Sequence, residues 1–576
     1  MRIFRFVLAP TVPLTRAPPS GVLMGEGRGG GGLSGIRPYA LLCFLCLILY
    51  APGLAAIPPL DRDEARFAQA TRQMLETGDF VRIRFQDETR NKKPIGIYWL
   101  QAAAVAAFSS PESAAIWPYR LPSAFAATAA VLLTFGFGAR LFDSRPAGFI
   151  AAVVTASALG VVVEAHLAKT DAALLAAVVA GQGALGLVYI ATRAGRRVGW
   201  PLPPLFWLAE AVALLLKGPP GPMLALLTAG CLSIADRDIH WVKRLRPLAG
   251  VLIMAGMVAP WLIAVQSATA GHFISDSLAR DLLPKLVGAQ ESHGGPPGYY
   301  LAVVIASFWP GSLFLVPGLI WGWRQHRAAA CRFLLAWLGP AWILFELVPT
   351  KLPHYVLPLY PALALLAGGA LAEGSATHLS GPARFVDGAV GVLWGAVTIA
   401  LGAALFILPP RFGGTVSPAV IVAVPVMLGL ALLLLFRDPR PMGAAGLVAA
   451  VSVAFVVPAA LAVAPELDYV WPSRSAAAAL ARHPPGPGEA VLSVGYSEPS
   501  LVFLLGTATR LVTAQPGDGQ LAGAGMALVN HRYEAEFLRS LAHRGLTARA
   551  LDRVEGLDYS ARGGKLVLTL DRLEPG

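Results

Sequence analysis

The chain has 576 residues, 56% of them hydrophobic and only 14% charged, with a formal net charge of +12. That balance excludes a soluble globular protein and points to a polytopic membrane protein. The basic excess lies largely in short loops between apolar runs. It therefore reads as a topology signal and calls for no nucleic-acid partner.

Residues 1–37 carry Arg2, Arg5, Arg16, Arg28 and Arg37 beside a run of four glycines, and read as a disordered cytoplasmic tail with Met24 an alternative start. No signal-peptide cleavage pattern follows the first long apolar run. A spanning helix needs about twenty apolar residues. By that measure about thirteen spans are expected, at 38–57, 119–141, 147–166, 171–192, 202–217, 219–235, 247–266, 299–323, 333–348, 353–372, 386–408, 417–436 and 442–464. Together they make a transmembrane domain over 38–464. Ile95–Phe108 is apolar but short, and suits an interfacial helix. Arginine-rich loops alternate along the chain (Arg140/Arg145, Arg193/Arg196/Arg197, Lys243/Arg244/Arg246, Arg324/Arg327/Arg332, Arg384, Arg437/Arg440). By the positive-inside rule these face the cytoplasm, as does the N-terminus. The 58–118 loop, the 267–298 loop and everything after Pro465 then fall on the outer face. The four cysteines imply no disulfide framework; Cys43 and Cys46 lie inside an apolar span, where packing is the simpler reading.

The first outer loop carries most of the chemistry-bearing side chains. Pro58-Pro59 stops the preceding helix, and Asp61, Asp63 and Glu64 stand where the chain leaves the bilayer, ahead of a helical pattern through Phe67, Ala70, Met74 and Leu75. These acids would equally suit the positive end of a plain amphipathic helix. Further on, Glu164, His166, Lys169 and Asp171 sit together at span ends, where ionisable groups face water or a partner. Lys217-Gly218-Pro219-Pro220 breaks an apolar run, and such breaks are tolerated where they line a cavity, although Lys217 could also snorkel to headgroups. Lys93, Lys217 and Lys351 converge on one face, a pattern that suits an anionic headgroup such as phosphate. From Pro465 the composition changes. A Pro-Gly linker at 484–488 leads into strands at Ala490–Val494, Met526–Val529 and Lys565–Leu570 and helices at Ser500–Leu505 and Tyr533–Arg544, which make a small α/β domain over 465–576.

The ordered set Asp63-Glu64-Ala65-Arg66-Phe67-Ala68, Arg72-Gln73-Met74-Leu75, Gly78-Asp79-Phe80, Lys93-Pro94 and Tyr98-Trp99-Leu100 resembles the first outer loop of GT-C glycosyltransferases. The nearest group is that of the protein O-mannosyltransferases and lipid A aminoarabinose transferases. Thr170-Asp171, Lys217-Gly218-Pro219, His293-Gly294-Gly295-Pro296-Pro297-Gly298-Tyr299-Tyr300 and Lys351-Leu352-Pro353-His354-Tyr355 extend the likeness across most of the first 365 residues. The resemblance implies a GT-C fold and inverting transfer of a sugar from a polyprenyl-phosphate donor to a lipid, lipid A or glycan acceptor at the periplasmic face of the inner membrane. It implies Asp63 as the base, with Glu64 beside it, and Asp171 as a second site carboxylate. Lys93, Arg66, Lys217 and Lys351 would bind the donor phosphate, and His293, Tyr299 and Tyr355 would belong to loops near the substrate. No cofactor is expected. Some relatives place a metal-binding glutamate just before the Lys-Pro turn; Lys92 stands there, and His272 and His293 lack ligand spacing, so no metal is carried over. The alternatives are transfer to protein Ser or Thr, or a non-enzymatic transporter or flippase. The last would place charges mid-helix and show internal repeats; Glu210 lies inside an apolar span, but no repeat is visible.

Overall fold

The computed structural model describes residues 33–277, 279, 294–374, 379–436, 440–559 and 563–576. Most of the N-terminal tail therefore lies outside the described residues, as do Arg280, Asp281, Lys285, Glu291 and His293.

Eight helices among the described residues are long and apolar enough to cross a membrane, and they correspond to the expected spans at 119–141, 171–192, 247–266, 333–348, 353–372, 386–408, 417–436 and 442–464. The other five expected spans are shorter or broken. The first is α1 (Arg37–Tyr50), which stops short of 57 in turns. The 147–166 run is two helices, α5 (Arg145–Ser157) and α6 (Leu159–Ala165), bent by 61° at Ala158. The backbone N–H of Leu159, freed by that bend, donates to the carbonyl of Trp309 at 2.8 Å, which satisfies it inside the apolar region. The 202–235 region is α8 (Leu202–Lys217) and α9 (Pro220–Asp236), separated at Gly218 with a φ of +79°. The 299–323 run is interrupted into α12 (Tyr299–Ser307), a short 3-10 turn and α13 (Leu315–Arg324). Proline and glycine punctuation inside apolar runs, invisible to a hydropathy count, accounts for the breaks at 218 and near 310.

The bundle packs through small residues, as lipid-embedded helices do. α4 (Trp117–Leu141) crosses α5 where Gly138 faces Gly148; a β-carbon on Gly148 would lie 2.6 Å from the Ala139 backbone nitrogen. α7 (Asp171–Arg193) lies between α4 and α8. On the loop face, α2 (Asp63–Thr77) is closed by Gly78 in the left-handed conformation. A two-residue hairpin, β1 (Arg84–Phe85) and β2 (Glu88–Thr89), follows. Then comes α3 (Gly96–Phe108), the short apolar helix expected at the interface.

The C-terminal residues form a five-stranded sheet in the order β4-β3-β5-β7-β6. β3 (Ala490–Val494) pairs in parallel with β4 (Arg510–Val512) and β5 (Ala524–Asn530), while β7 (Gly564–Pro575) runs antiparallel to β5 and to β6 (Leu546–Asp558). β4 and β6 have no counterpart among the expected strands. β4 is only three residues long, and the exposed, charged β6 lacks a clean apolar alternation. Between β3 and β4, helix α20 (Pro499–Leu505) packs directly on α2, so this domain and the first loop share one face of the molecule.

Candidate active site

The start of α2 is fixed from several sides. Arg62 precedes the helix with a φ of +64°, an uncommon conformation for a side-chain-bearing residue. On one side of it, buried Asp61 accepts from the Ser500 hydroxyl, and its backbone N–H donates to the Tyr559 hydroxyl at 2.9 Å. On the other, Glu64 is buried. Its carboxylate accepts from Arg120 Nε and Nη2, each at 2.8 Å, and from the backbone N–H groups of Leu60 and Ala168, also at 2.8 Å. Arg120 spends its remaining donors on the carbonyls of Leu54, Ile57 and Pro58. Glu64, expected among the catalytic carboxylates, is therefore a buttress. Both its oxygens are consumed in holding the end of the first span, the α2 start and the 168 turn together. Between these anchors Asp63 is exposed.

A cavity of about 360 Å³ opens between the loop face and the helix ends, lined among others by Lys92, Lys93, Asp171, Lys217, Trp261, Phe273, His354 and Tyr355. Several segments of the chain bring these residues together. Gly96 lets α3 cross α8 so closely that a β-carbon there would stand 2.7 Å from the Leu215 carbonyl, which sets the Lys92-Lys93-Pro94 turn beside Lys217. The turn is braced by Asn91, whose amide donates to Asp276 at 3.1 Å and whose carbonyl accepts from Ser277 at 2.7 Å, both on α11 (His272–Ser277). Asp171 opens α7, where a carboxylate suits the helix dipole. It pairs directly with Lys217, with Lys169 Nζ at 3.9 Å.

Behind Asp171, Lys169 bonds Glu164 at 3.1 Å, and the His354 ring faces Glu164 and Asp171 at 3.8 Å each. Burial opposes the charge on Lys169, but the carboxylates of Glu164 and Asp171 outweigh it and raise its pKa, so it stays an ammonium. The Tyr355 ring lies 5.5 Å beneath Lys217 Nζ and meets His354 edge-on. Leu214, Pro219 and Met223 in its wall also line an adjoining apolar groove of about 880 Å³, which runs along α9 by Leu226 and Cys231 to Ile234.

Of the expected site residues, Lys93, Lys217, Asp171 and Tyr355 thus meet in one cavity. Asp63 and half-buried Arg66 stand outside its wall, although the charge of Asp63 is felt at Lys169. Lys351 is corrected. It is buried, donates to the carbonyls of Glu346 (2.6 Å) and Val348 (2.9 Å), and closes the end of α14 (Ala329–Leu347) rather than facing the cavity. Tyr299 packs on Tyr300 away from the cavity lining, and His293 lies outside the described residues. Two residues were missed. Arg120 carried a signal, a guanidinium at the start of an apolar span, where a charge needs a partner. His354 stood inside the motif that yielded Tyr355. Among the described residues no three His, Cys, Asp or Glu side chains are grouped to hold a metal ion, and the cations Lys92 and Lys93 do not fit one at the Lys-Pro turn.

Broken spans, an acidic helix start and a lysine-lined cavity on one face define a multi-pass membrane protein with the GT-C fold. The architecture matches that of ArnT from Cupriavidus metallidurans bound to undecaprenyl phosphate, with a TM-score of 0.68 at 20% identity over 93% of this chain and 98% of that one. The archaeal oligosaccharyltransferase AglB from Archaeoglobus fulgidus is more distant, with a TM-score of 0.50 and 12% identity over 87% of this chain and 69% of that one. The family model described as dolichyl-phosphate-mannose-protein mannosyltransferase matches residues 39–273. In sequence, the chain is 29% identical over 367 residues to undecaprenyl phosphate-alpha-4-amino-4-deoxy-L-arabinose arabinosyl transferase 1 of Pseudomonas fluorescens, covering 61% of this chain and 64% of that protein. It is also 29% identical to the corresponding transferase of Pseudomonas aeruginosa, over 57% of this chain and 59% of that protein. The chain thus aligns with about three-fifths of the length of these curated relatives.

Proposed function

We propose that this chain is an inverting membrane glycosyltransferase that takes a sugar from a polyprenyl-phosphate donor and passes it to a lipid, lipid A or glycan acceptor. The observation that carries this reading is the juxtaposition of Lys93 and Lys217 in a cavity that shares a wall with a long apolar groove. A phosphate-linked polyprenyl lipid requires both: cations for the headgroup and an apolar slot within the membrane for the chain. The relatives named for undecaprenyl-phosphate-linked aminoarabinose support the same donor chemistry.

In the proposed reaction the acceptor hydroxyl attacks the anomeric carbon from the side opposite the phosphate. Its proton passes to the Asp63 carboxylate. The sugar–phosphate bond breaks, and its electron pair leaves with polyprenyl phosphate, whose growing charge Lys93 and Lys217 neutralise. Asp171 holds Lys217 at the cavity wall, Lys169 stands beside Asp171, and Glu164 holds Lys169. Arg66 has its part at the mouth, near the donor's headgroup.

The proposed setting is the bacterial inner membrane, with the N-terminus cytoplasmic and the C-terminal domain periplasmic. A reporter fused after Pro465 should behave as periplasmic and one within 193–199 as cytoplasmic; cytoplasmic behaviour of both would overturn that orientation. The reaction itself is tested by reconstituting the full chain in liposomes with an undecaprenyl-phosphate sugar and envelope lipid extract. Mass spectrometry should find the sugar mass on an acceptor lipid together with free undecaprenyl phosphate. Donor that is bound but never consumed, with any sugar and extract tried, would refute transfer and favour a lipid carrier.

A further inference from the structure

The C-terminal domain is more than an appendage on this face. Its 499–509 segment meets α2, the β1–β2 turn and the start of α4 through a set of contacts. Arg72 Nη1 donates to the Phe503 carbonyl at 2.8 Å, Gln69 to Thr507 at 2.7 Å, and Gln86 to the Thr509 carbonyl, while the Phe503 ring meets Tyr119 edge-on at 5.3 Å. At the end of this seam nearest Asp63, the Asp61 carboxylate is sequestered from water. Ser500 donates to it, and Ser500 in turn contacts Ser473 at 2.6 Å, which bonds Tyr496 at 2.8 Å.

Asp61 is thus pinned by the C-terminal domain, and Glu64 is pinned by Arg120. The two residues between them are Arg62, with its φ of +64°, and exposed Asp63. Such a backbone persists only where its surroundings over-determine it, and strained residues of this kind mark sites where a side chain is being aimed. Resting on the transfer reading above, we propose that the C-terminal domain positions Asp63 for its work, acting through Ser500 and Tyr559 on Asp61.

The groups facing Asp61 give this positioning a pH signature. Burial pushes the Asp61 carboxyl up to about 7, with the Ser500 hydroxyl opposing the shift and Glu498 and Asp558 adding to it; Tyr496 and Tyr559 also stand against it. A raised acid pKa means that docking is strongest while the group is protonated. The docked arrangement is therefore most stable below the ordinary carboxylate range near pH 4 and weakens as pH rises toward about 7.

The test uses the full chain in proteoliposomes with an undecaprenyl-phosphate sugar donor. Ser500→Ala and Tyr559→Phe should each lower kcat by about two- to tenfold, the loss of one hydrogen bond, with donor KM unchanged. Asp61→Asn, which cannot ionise, should flatten the decline in kcat between about pH 5 and 7. Wild-type kcat in both hydroxyl variants, or an unchanged pH decline in Asp61→Asn, would overturn the proposal. Asp63→Asn is run in parallel. If it remains active, the assignment of the base has failed independently, and amide hydrogen exchange across 61–66 then decides: faster exchange in Ser500→Ala supports positioning by the domain, and unchanged exchange refutes it.

Discussion

Glu64 and Asp63 are neighbours of the same charge, and the structure assigns them opposite sensitivities. The Glu64 and Arg120 side chains retain 0% and 1% of their accessible surface, so neither charge has water to fall back on. Removing one partner from a buried, fully bonded pair costs about 3–5 kcal/mol. Arg120→Met should cost at least that, because it strands the Glu64 carboxylate and also takes donors from the carbonyls of Leu54, Ile57 and Pro58. Glu64→Gln keeps the shape but leaves the Arg120 charge unpaired, and should be destabilising in the same range. Pairing Arg120→Met with Glu64→Leu should recover only part of the loss, since an apolar pair restores no donor to those three carbonyls. The assay is thermal unfolding in detergent together with sugar transfer per mole of folded protein. The expected result is a clear fall in melting temperature for each single variant, with turnover in whatever Glu64→Gln protein stays folded lowered by no more than about tenfold, the effect of loosening one anchor of Asp63. Undiminished melting with abolished turnover in Glu64→Gln would place Glu64 in the chemistry and refute its part as a buttress.

Asp63→Asn should leave folding and donor binding intact while lowering turnover by about a hundred- to ten-thousandfold, the usual effect of losing a general base; normal turnover would remove Asp63 from that role. Lys93→Ala and Lys217→Ala should each raise the apparent donor constant by about ten- to hundredfold, as loss of a charge-assisted phosphate contact does; Lys217→Ala should further disturb Asp171, which then keeps Lys169 and His354 as its neighbours among the described residues. Lys351→Met, by contrast, should leave donor saturation unchanged at the folded fraction, and a rise matching that of Lys217→Ala would return Lys351 to the phosphate site. Transfer should survive EDTA; loss of activity restored by one divalent ion would show that a metal acts in the site.

Apolar runs of twenty residues announce themselves because nothing else in a water-soluble chain looks like them, and for that reason the eight long helices could be read directly from hydropathy. The bend at Ala158 could not. Ala158 is an ordinary residue there, and the break is stabilised by the Trp309 carbonyl from a distant segment. Likewise the lysines could be sorted by sequence only as far as the face they occupy. Lys217 and Lys351 both sit at helix ends beside a proline-rich turn. One lies at the cavity wall against Asp171 while the other caps the carbonyls that end the preceding helix, a difference set by tertiary placement and not by local sequence.

The same limit, and what overcomes it, is clearest in the three acids at the start of α2. Helical periodicity says only that Asp63 and Glu64 point in directions about 100° apart, with Asp61 in the turn before. It cannot say which direction is wet. The answer lies in residues far along the chain: Arg120 turns the Glu64 position into a buried ion pair, and Ser500 with Tyr559 turns the Asp61 position into a buried carboxyl whose pKa is raised to about 7. Asp63 is left as the exposed carboxylate of the three, and its neighbours hold it there. A carboxylate that is to accept a proton must be accessible and yet fixed, two demands that a single flexible acid in a loop does not meet. Flanking it with two anchored acids, one held by the membrane bundle and one by the C-terminal domain, satisfies both. It also explains why three acids crowd four positions when the proposed chemistry needs only one.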